Sequence, residues 1–338
     1  MNRPPSPEPP PGSVSKTDST DTDPAGFHTS LILSDVTLRE HGQNVQKQDL
    51  SEFSSEIRAK TALALVHAGF KRLEIISCVS PGVAPAMSVQ LIKEIAHAVG
   101  RQPTVEIITL APNPRGLKTF YEIGLGPKEL NHTVGLFSSA VEAHNLENLG
   151  KTIHETRKDQ EKMIREIHRQ GSSFVAYITA AFGYRTPDPN SGIQTIDYAS
   201  LRETVRWWLD RGALTVTLSD LQGVASPSQT SETFRRLLDD FSADALCGKP
   251  EIRIGYHPHH ADTSKAVALV EHAYNAGIRL FDSSMHALGG CVTGGPGNVS
   301  TREVISLFSR KSVPTGIDPE KLGTAERLLT RKTNESTF

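Results

Sequence analysis

Eight short runs rich in Ile, Val and Leu, separated by longer stretches of helical period, constrain this chain more than any other feature of it. The runs fall at 31–36, 72–76, 105–110, 133–137, 174–179, 214–218, 252–256 and 279–281. In 51–68, Phe53, Ile57, Ala64 and Ala68 share one helical face and Gly69 supplies a left-handed stop; the stretch 264–276 is ended in the same way by Gly277. Strands that alternate with helices build a parallel sheet, because each crossover must return the chain to the same edge. Eight such units match an α/β chain folded as a (β/α)8 TIM barrel. A doubly wound open sheet would need fewer strands and a phosphate-binding glycine turn after the first, and no such turn stands there.

The barrel is expected to occupy 27–338, with a short helical segment at its C-terminal end. Segment 1–26 is different in kind: Pro4, Pro5, Pro7, Pro9, Pro10 and Pro11 precede a run of Ser, Thr and Asp, with too little apolar surface to offset the entropy of ordering it. It reads as a disordered tail. A formal net charge of −2 gives no electrostatic reason to expect nucleic acid or an anionic membrane surface as partner. No apolar run reaches the length of a membrane span, and the N-terminal segment lacks the apolar stretch of a signal peptide. The three cysteines, Cys78, Cys247 and Cys291, lie far apart, which argues against a disulfide framework and for a reducing, cytoplasmic compartment. A small-molecule substrate and a homodimeric assembly are the expected partners.

In such a barrel the reactive groups stand at the C-terminal ends of the strands. After the first run comes Asp35-Val36-Thr37-Leu38-Arg39-Glu40-His41-Gly42-Gln43-Asn44, which taken alone reads as a solvated strand-to-helix loop. In the second run Glu74 and Ser77 interrupt apolar sequence, and a carboxylate in a barrel strand is costly unless paired or functional. An ion pair with Arg39 meets both conditions. After the seventh run stands Tyr256-His257-Pro258-His259-His260, where the alternation of an extended chain points His257 and His259 to one side, within reach of one ion. The eighth run leads into Gly289-Gly290-Cys291-Val292-Thr293-Gly294-Gly295-Pro296-Gly297-Asn298, either a mobile lid that carries Cys291 over a substrate or a plain glycine-rich connection. A mixed oxygen and imidazole donor set suits Mg²⁺ or Mn²⁺, with Zn²⁺ or Co²⁺ as alternatives.

These residues resemble the DRE-TIM metallolyases, and among them the 3-hydroxy-3-methylglutaryl-CoA lyases, over nearly everything from Leu31 to about Leu329. The resemblance rests on six motifs in order: Arg39 to Asn44, Leu73 to Pro81, Ser138 to His144, Ser219 to Val224, the His257/His259 pair, and Leu288-Gly289-Gly290-Cys291. It implies that Glu40, His257, His259 and Asn298 ligate a divalent metal, with Glu40 in the place of an aspartate of the lyases and more like the homocitrate synthases. It further implies that Arg39 stands beside the metal-bound oxygens, that Asp220 and Glu74 orient groups around the substrate, that Gln43, Ser77 and Tyr177 bind it, and that Cys291 is the loop thiol. Four departures lie near the substrate: His260 replaces an aspartate, Val175 stands where the lyases carry an arginine, Leu221 replaces a threonine, and the loop from Cys291 to Asn298 is two residues shorter.

The implied reaction cleaves a 3-hydroxy-3-methylglutaryl-CoA-like acyl-CoA thioester to acetyl-CoA and a keto acid. A tertiary alkoxide must form, with His257 or Asp220 as candidate base, and the departing carbanion must be held as an enolate, with Arg39 as its positive charge and Cys291 as proton donor. Glu40 and the altered fifth strand leave open a Claisen-type synthase that condenses acetyl-CoA with a 2-oxo acid. A barrel that has lost catalysis and serves as a scaffold is the third reading, and the intact ligand set argues against it.

Overall fold

The computed structural model describes residues 31–188, 190–244, 247–290 and 295–330. Both the 1–26 segment and Cys291 lie outside the described residues. All eight expected strands form: β1 (Ile32–Asp35), β2 (Arg72–Ser77), β3 (Glu106–Leu110), β4 (Thr133–Ser139), β5 (Phe174–Thr179), β6 (Val216–Asp220), β7 (Ile254–Pro258) and β8 (Leu280–Ser283). They pair in parallel in chain order, and β8 returns to β1 with Ile32 opposite Leu280 and Asp35 opposite Ser283, which closes the barrel. Large buried side chains such as Phe120, Trp208, Phe234, Phe281 and Phe308 belong to the apolar core. Burying an aromatic side chain stabilises by roughly 1.5–3 kcal/mol, so this packing fixes where the strand ends stand. No described helix is long and apolar enough to cross a membrane.

Several elements begin or end away from their expected bounds, each for a local reason. Leu214 precedes β6 in the turn after a helix and is 43% exposed, and Ile252 belongs to a short helix, Pro250–Arg253, opened by Pro250 at its first turn. The helix expected over 51–68 starts at Ser55, because the Ser54 hydroxyl accepts the Ile57 N–H at 3.3 Å and caps it there. It ends at Gly69, whose φ of 108° places its backbone against the Gly316 carbonyl; a Cβ there would lie 2.3 Å from that oxygen. A C-terminal helix, Pro319–Thr330, packs on the same helix, and the Asp318 N–H donates to the Ala68 carbonyl at 2.8 Å.

The charged segment after β1 is not a solvated loop. It forms a helix, Thr37–Asn44, with Thr37, Leu38, Arg39, Glu40 and Gly42 buried. Asp35 holds its start, accepting the Thr37 N–H at 3.0 Å and the Thr37 hydroxyl at 2.9 Å. Burial pushes the Asp35 carboxyl up to about 7 although those two hydrogen bonds oppose the shift. At the other end the Asn44 amide donates to the Glu40 carbonyl at 3.0 Å and to the Gly290 carbonyl at 2.9 Å, tying the helix to the loop after β8. After β5 a two-residue antiparallel ribbon, Tyr184–Arg185 with Ile193–Gln194, stands at the same end of the barrel.

Candidate metal centre

Glu40 comes from the Thr37–Asn44 helix, His257 from the end of β7 and His259 from the residues just beyond it. Among the described residues these three form a group able to hold a metal ion, their ligand atoms all within 4.8 Å of one another. Each is buried. The alternation read from the sequence brings the two imidazoles face to edge, with their Nε2 atoms 2.9 Å apart and the His257 Nε2 3.8 Å from the Glu40 carboxylate.

What the other ring nitrogens do decides the chemistry. The His257 Nδ1 lies 3.1 Å from the Asp282 carboxylate and the His259 Nδ1 lies 3.0 Å from the Pro296 carbonyl oxygen. Both partners are acceptors, so each Nδ1 carries the proton and donates. Each Nε2 is then left with a lone pair, and the two lone pairs are aimed at each other beside a carboxylate. Such an arrangement repels itself unless a cation or a proton lies between, and a carboxylate or carbonyl behind the ring is the usual support of a ligating histidine. The donor set therefore fits a divalent ion.

The electrostatics agree with that reading. Burial opposes the charge on Glu40, yet Arg39 and the two histidines hold its carboxyl below the usual range. Burial, with His257 adding to it, pushes His259 down to about 4, so this ring is neutral. For His257 burial works downward, but the hydrogen bond and charge of Asp282 outweigh it and raise the pKa. Arg39 bridges two carboxylates: its Nη1 donates to Glu40 and its Nε to Glu74 at 2.5 Å, which confirms the ion pair expected from the sequence. Glu74 also accepts the Tyr177 hydroxyl, and burial holds that phenol protonated, its pKa well above the ordinary value.

A cavity of about 240 Å³ opens over this cluster, with Arg39, Glu40, Gln43, Tyr177, His257 and His259 in its wall. The opposite side is apolar, formed by Val79, Val83, Leu110, Phe137, Leu149 and Leu221. Ser77 is buried behind it and accepts from the Gln43 amide at 3.2 Å. Asn298 is buried, forms a bridge with the His259 backbone and turns its amide nitrogen to the Leu288 carbonyl at 2.8 Å.

Asp220 departs from expectation. Its carboxylate accepts the N–H groups of Val224 (2.9 Å) and Ala225 (3.0 Å) in its own loop and takes no part in the cavity wall, because along β6 it is Ser219 that faces inward. Burial pushes its carboxyl up to about 6 despite those bonds. Asp282, by contrast, was missed in the sequence. The argument that singled out Glu74, a carboxylate inside an apolar strand, applies equally to Asp282 at the end of β8, where burial opposes its charge and His257 and Arg72 hold it ionised.

Comparison with known proteins shows the family and the fold. The family described as HMGL-like matches residues 30–329. The (R)-citramalyl-CoA lyase of Chloroflexus aurantiacus is 28% identical over 300 residues, 86% of each chain. The 3-hydroxy-3-isohexenylglutaryl-CoA/hydroxymethylglutaryl-CoA lyase of Pseudomonas aeruginosa is 29% identical over 293 residues, 86% of this chain and 88% of that one. The crystal structure of hydroxymethylglutaryl-CoA lyase from Pseudomonas aeruginosa superposes with a TM-score of 0.75 at 25% identity, covering 91% of this chain and 94% of the other.

Proposed function

Because this chain belongs to the HMGL-like family, we propose that it is a divalent-metal-dependent carbon–carbon lyase that cleaves a 3-hydroxy-3-methylglutaryl-CoA-like thioester to acetyl-CoA and a keto acid. One observation carries the reading: two imidazoles whose Nδ1 protons are committed to Asp282 and Pro296 converge with Glu40 on a single point at the cavity floor. Glu40, His257 and His259 would hold the ion, with Asn298 as the fourth ligand on the family resemblance, and a carboxylate with imidazole and amide donors favours Mg²⁺ or Mn²⁺. When bound, such an ion lowers the pKa of a hydroxyl and neutralises charge that develops beside it.

The chain's own residues supply the rest. The Arg39 guanidinium, locked between Glu40 and Glu74, presents a fixed positive charge to the cavity where the enolate oxygen of the departing acetyl thioester develops. Tyr177 orients Glu74 and, protonated, offers no negative charge against the enolate. Gln43 positions substrate from the wall it shares with Arg39, backed by Ser77. With Asp220 committed to its own loop and both ring nitrogens of His257 engaged, one toward the ion and one toward Asp282, the base falls to a group of the substrate itself. Cys291, outside the described residues, is assigned the final proton transfer on the family resemblance alone.

The test is direct. The Mn²⁺- or Mg²⁺-loaded protein is incubated with a panel of 3-hydroxyacyl-CoA thioesters and, separately, with acetyl-CoA plus 2-oxo acids. Acetyl-CoA released from a tertiary 3-hydroxyacyl thioester is the expected result. Thiol release from acetyl-CoA that depends on an added 2-oxo acid, with no thioester cleaved, overturns it in favour of a synthase.

A further inference from the structure

Ser219 stands near the end of β6 in the wall of the cavity over the metal centre, 2% exposed, and among the described residues its Oγ has no hydrogen-bond partner. A buried hydroxyl in that state costs free energy, and such groups persist where a ligand supplies the missing bond. On its own strand it is alone in this role: Asp220 is turned into its own loop, and Leu221, which also lines the cavity, is apolar. Ser219 pairs with His257 in the barrel ladder, one strand spacing of about 4.8 Å away, so its hydroxyl stands at the level of the metal ligands.

The strands divide this cavity into sectors of different chemistry. Arg39 is held on Glu74 of β2, and in the closed ring of eight strands β2 and β6 face each other. Arg39 is the only lysine or arginine among the described wall residues, so the sector at Ser219 offers a neutral donor and no cation. Between the two, Leu110 of β3 and Phe137 of β4 present carbon, and Val175 packs with Leu110 and Tyr177 in the buried cluster behind them. A valine here, where the resemblance to the lyases places an arginine, keeps that sector uncharged.

We propose that the Ser219 hydroxyl donates to the carboxylate of the acyl group, the one that leaves on the keto acid; the assignment rests on the lyase reading for its choice of ligand. A tertiary 3-hydroxyacyl thioester that yields a keto acid carries three oxygen groups. The hydroxyl belongs with the metal ligands and the thioester oxygen with Arg39, which leaves the carboxylate for the sector of β6. The alkyl substituent then lies on Leu110 and Phe137, where a carboxylate would be buried without a partner. A hydrogen bond to an ionised acceptor is roughly twice as strong as one between neutral groups, so one serine is enough to favour an acyl group that ends in a carboxylate over one that ends in carbon.

The experiment uses the full Mn²⁺-loaded chain and two CoA thioethers in which CH₂ replaces the thioester C=O, so that no enolate can form. One has the 3-hydroxy-3-methylglutaryl skeleton with its free carboxylate; the other ends in a methyl group instead. Both are titrated calorimetrically into wild type, Ser219→Ala and Thr217→Val, the last removing another partnerless buried hydroxyl of β6 that lies outside the cavity wall. Ser219→Ala is expected to bind the carboxylate thioether about 10- to 100-fold more weakly and the methyl thioether within about twofold of wild type. Free of ligand, it is expected to be at least as stable as wild type in urea unfolding, since it loses no bond. Thr217→Val is expected to bind both thioethers as wild type does. Equal weakening of both thioethers, the same weakening in Thr217→Val, or a marked loss of stability in ligand-free Ser219→Ala overturns the proposal, as does a wild-type chain that binds the two thioethers equally or fails to bind the carboxylate one. Weakening confined to the carboxylate thioether, in a protein that cleaves no 3-hydroxyacyl thioester, upholds this site and removes the lyase reading instead.

Discussion

Asp282 decides which nitrogen of His257 faces the cavity. An ionised carboxylate can only accept, so the ring must put its proton on Nδ1 and keep its Nε2 lone pair for a ligand. An asparagine at this place can also donate, which permits the opposite tautomer and withdraws the negative charge that raises the basicity of the ring. Asp282→Asn is therefore expected to weaken Mn²⁺ binding about 10- to 100-fold by calorimetric titration, with the fold intact by circular dichroism. An unchanged affinity would mean that His257 is not a ligand. Arg39 makes a different demand, since its planar fork spans Glu40 and Glu74 at once. A lysine ammonium is a point charge that cannot hold both, so Arg39→Lys is expected to lower kcat about 100-fold with KM for the thioester nearly unchanged, read from steady-state rates. A fall in kcat/KM that comes from KM alone would take Arg39 out of the stabilisation of charge.

The strands carry these residues to one place only if the barrel interior packs correctly, and Gly255 in β7 shows how narrow the tolerance is. A Cβ at Gly255 would lie 2.8 Å from the Thr217 hydroxyl oxygen and 2.9 Å from Leu280, two strands on either side of it. Gly255→Ala is expected to cost about 1–3 kcal/mol in urea unfolding and to impair Mn²⁺ binding two residues farther along β7; a variant as stable as wild type would show that the interior has room to spare. The eight strands themselves were legible because apolar runs of the right length recur with helical stretches between them. Their ends were less so, since Leu214 and Ile252 extend the apolar run into a turn and a short helix that hydropathy does not separate from a strand. His257 and His259 were legible from alternation alone, and Glu74 from its cost in an apolar strand. Asp282 escaped because the expected eighth run, 279–281, stops one residue short of it, so that it read as an ordinary polar residue opening the next loop. The ribbon at Tyr184–Arg185 and Ile193–Gln194 is too short to leave a pattern.

At the scale of the whole molecule, buried titratable groups at both ends of the barrel set how the fold responds to acid, and His132 stands at the end opposite the metal centre. His132 stands just before β4, 3% exposed, with its Nδ1 2.9 Å from the Thr109 hydroxyl. Burial, with a smaller contribution from the charge of His97, pushes its pKa down to about 3 from 6.5. Between those values the unfolded chain binds a proton that the folded chain refuses. The stability His132 contributes is therefore fully present above pH 6.5 and is lost as the pH falls toward 3. His144, pushed down by burial to about 4, acts with the same sign. Buried Asp35 and Asp220, raised by burial to about 7 and about 6, act with the opposite sign over the same range, because the folded chain holds a proton there that the unfolded chain releases. The net profile of the wild-type protein thus mixes both directions, and a difference between two proteins that share every group but one isolates the histidine. In His132→Asn the side-chain amide can still bond to Thr109 but does not titrate. Urea unfolding at pH 7.5 and pH 5.0 is expected to show wild type losing about 2 kcal/mol more than the variant on acidification, the cost of refusing one proton over 1.5 pH units below 6.5. Parallel losses in the two proteins would mean that His132 is solvated enough to titrate in the folded state, and the acid limb of stability would then have to be sought among the other buried groups.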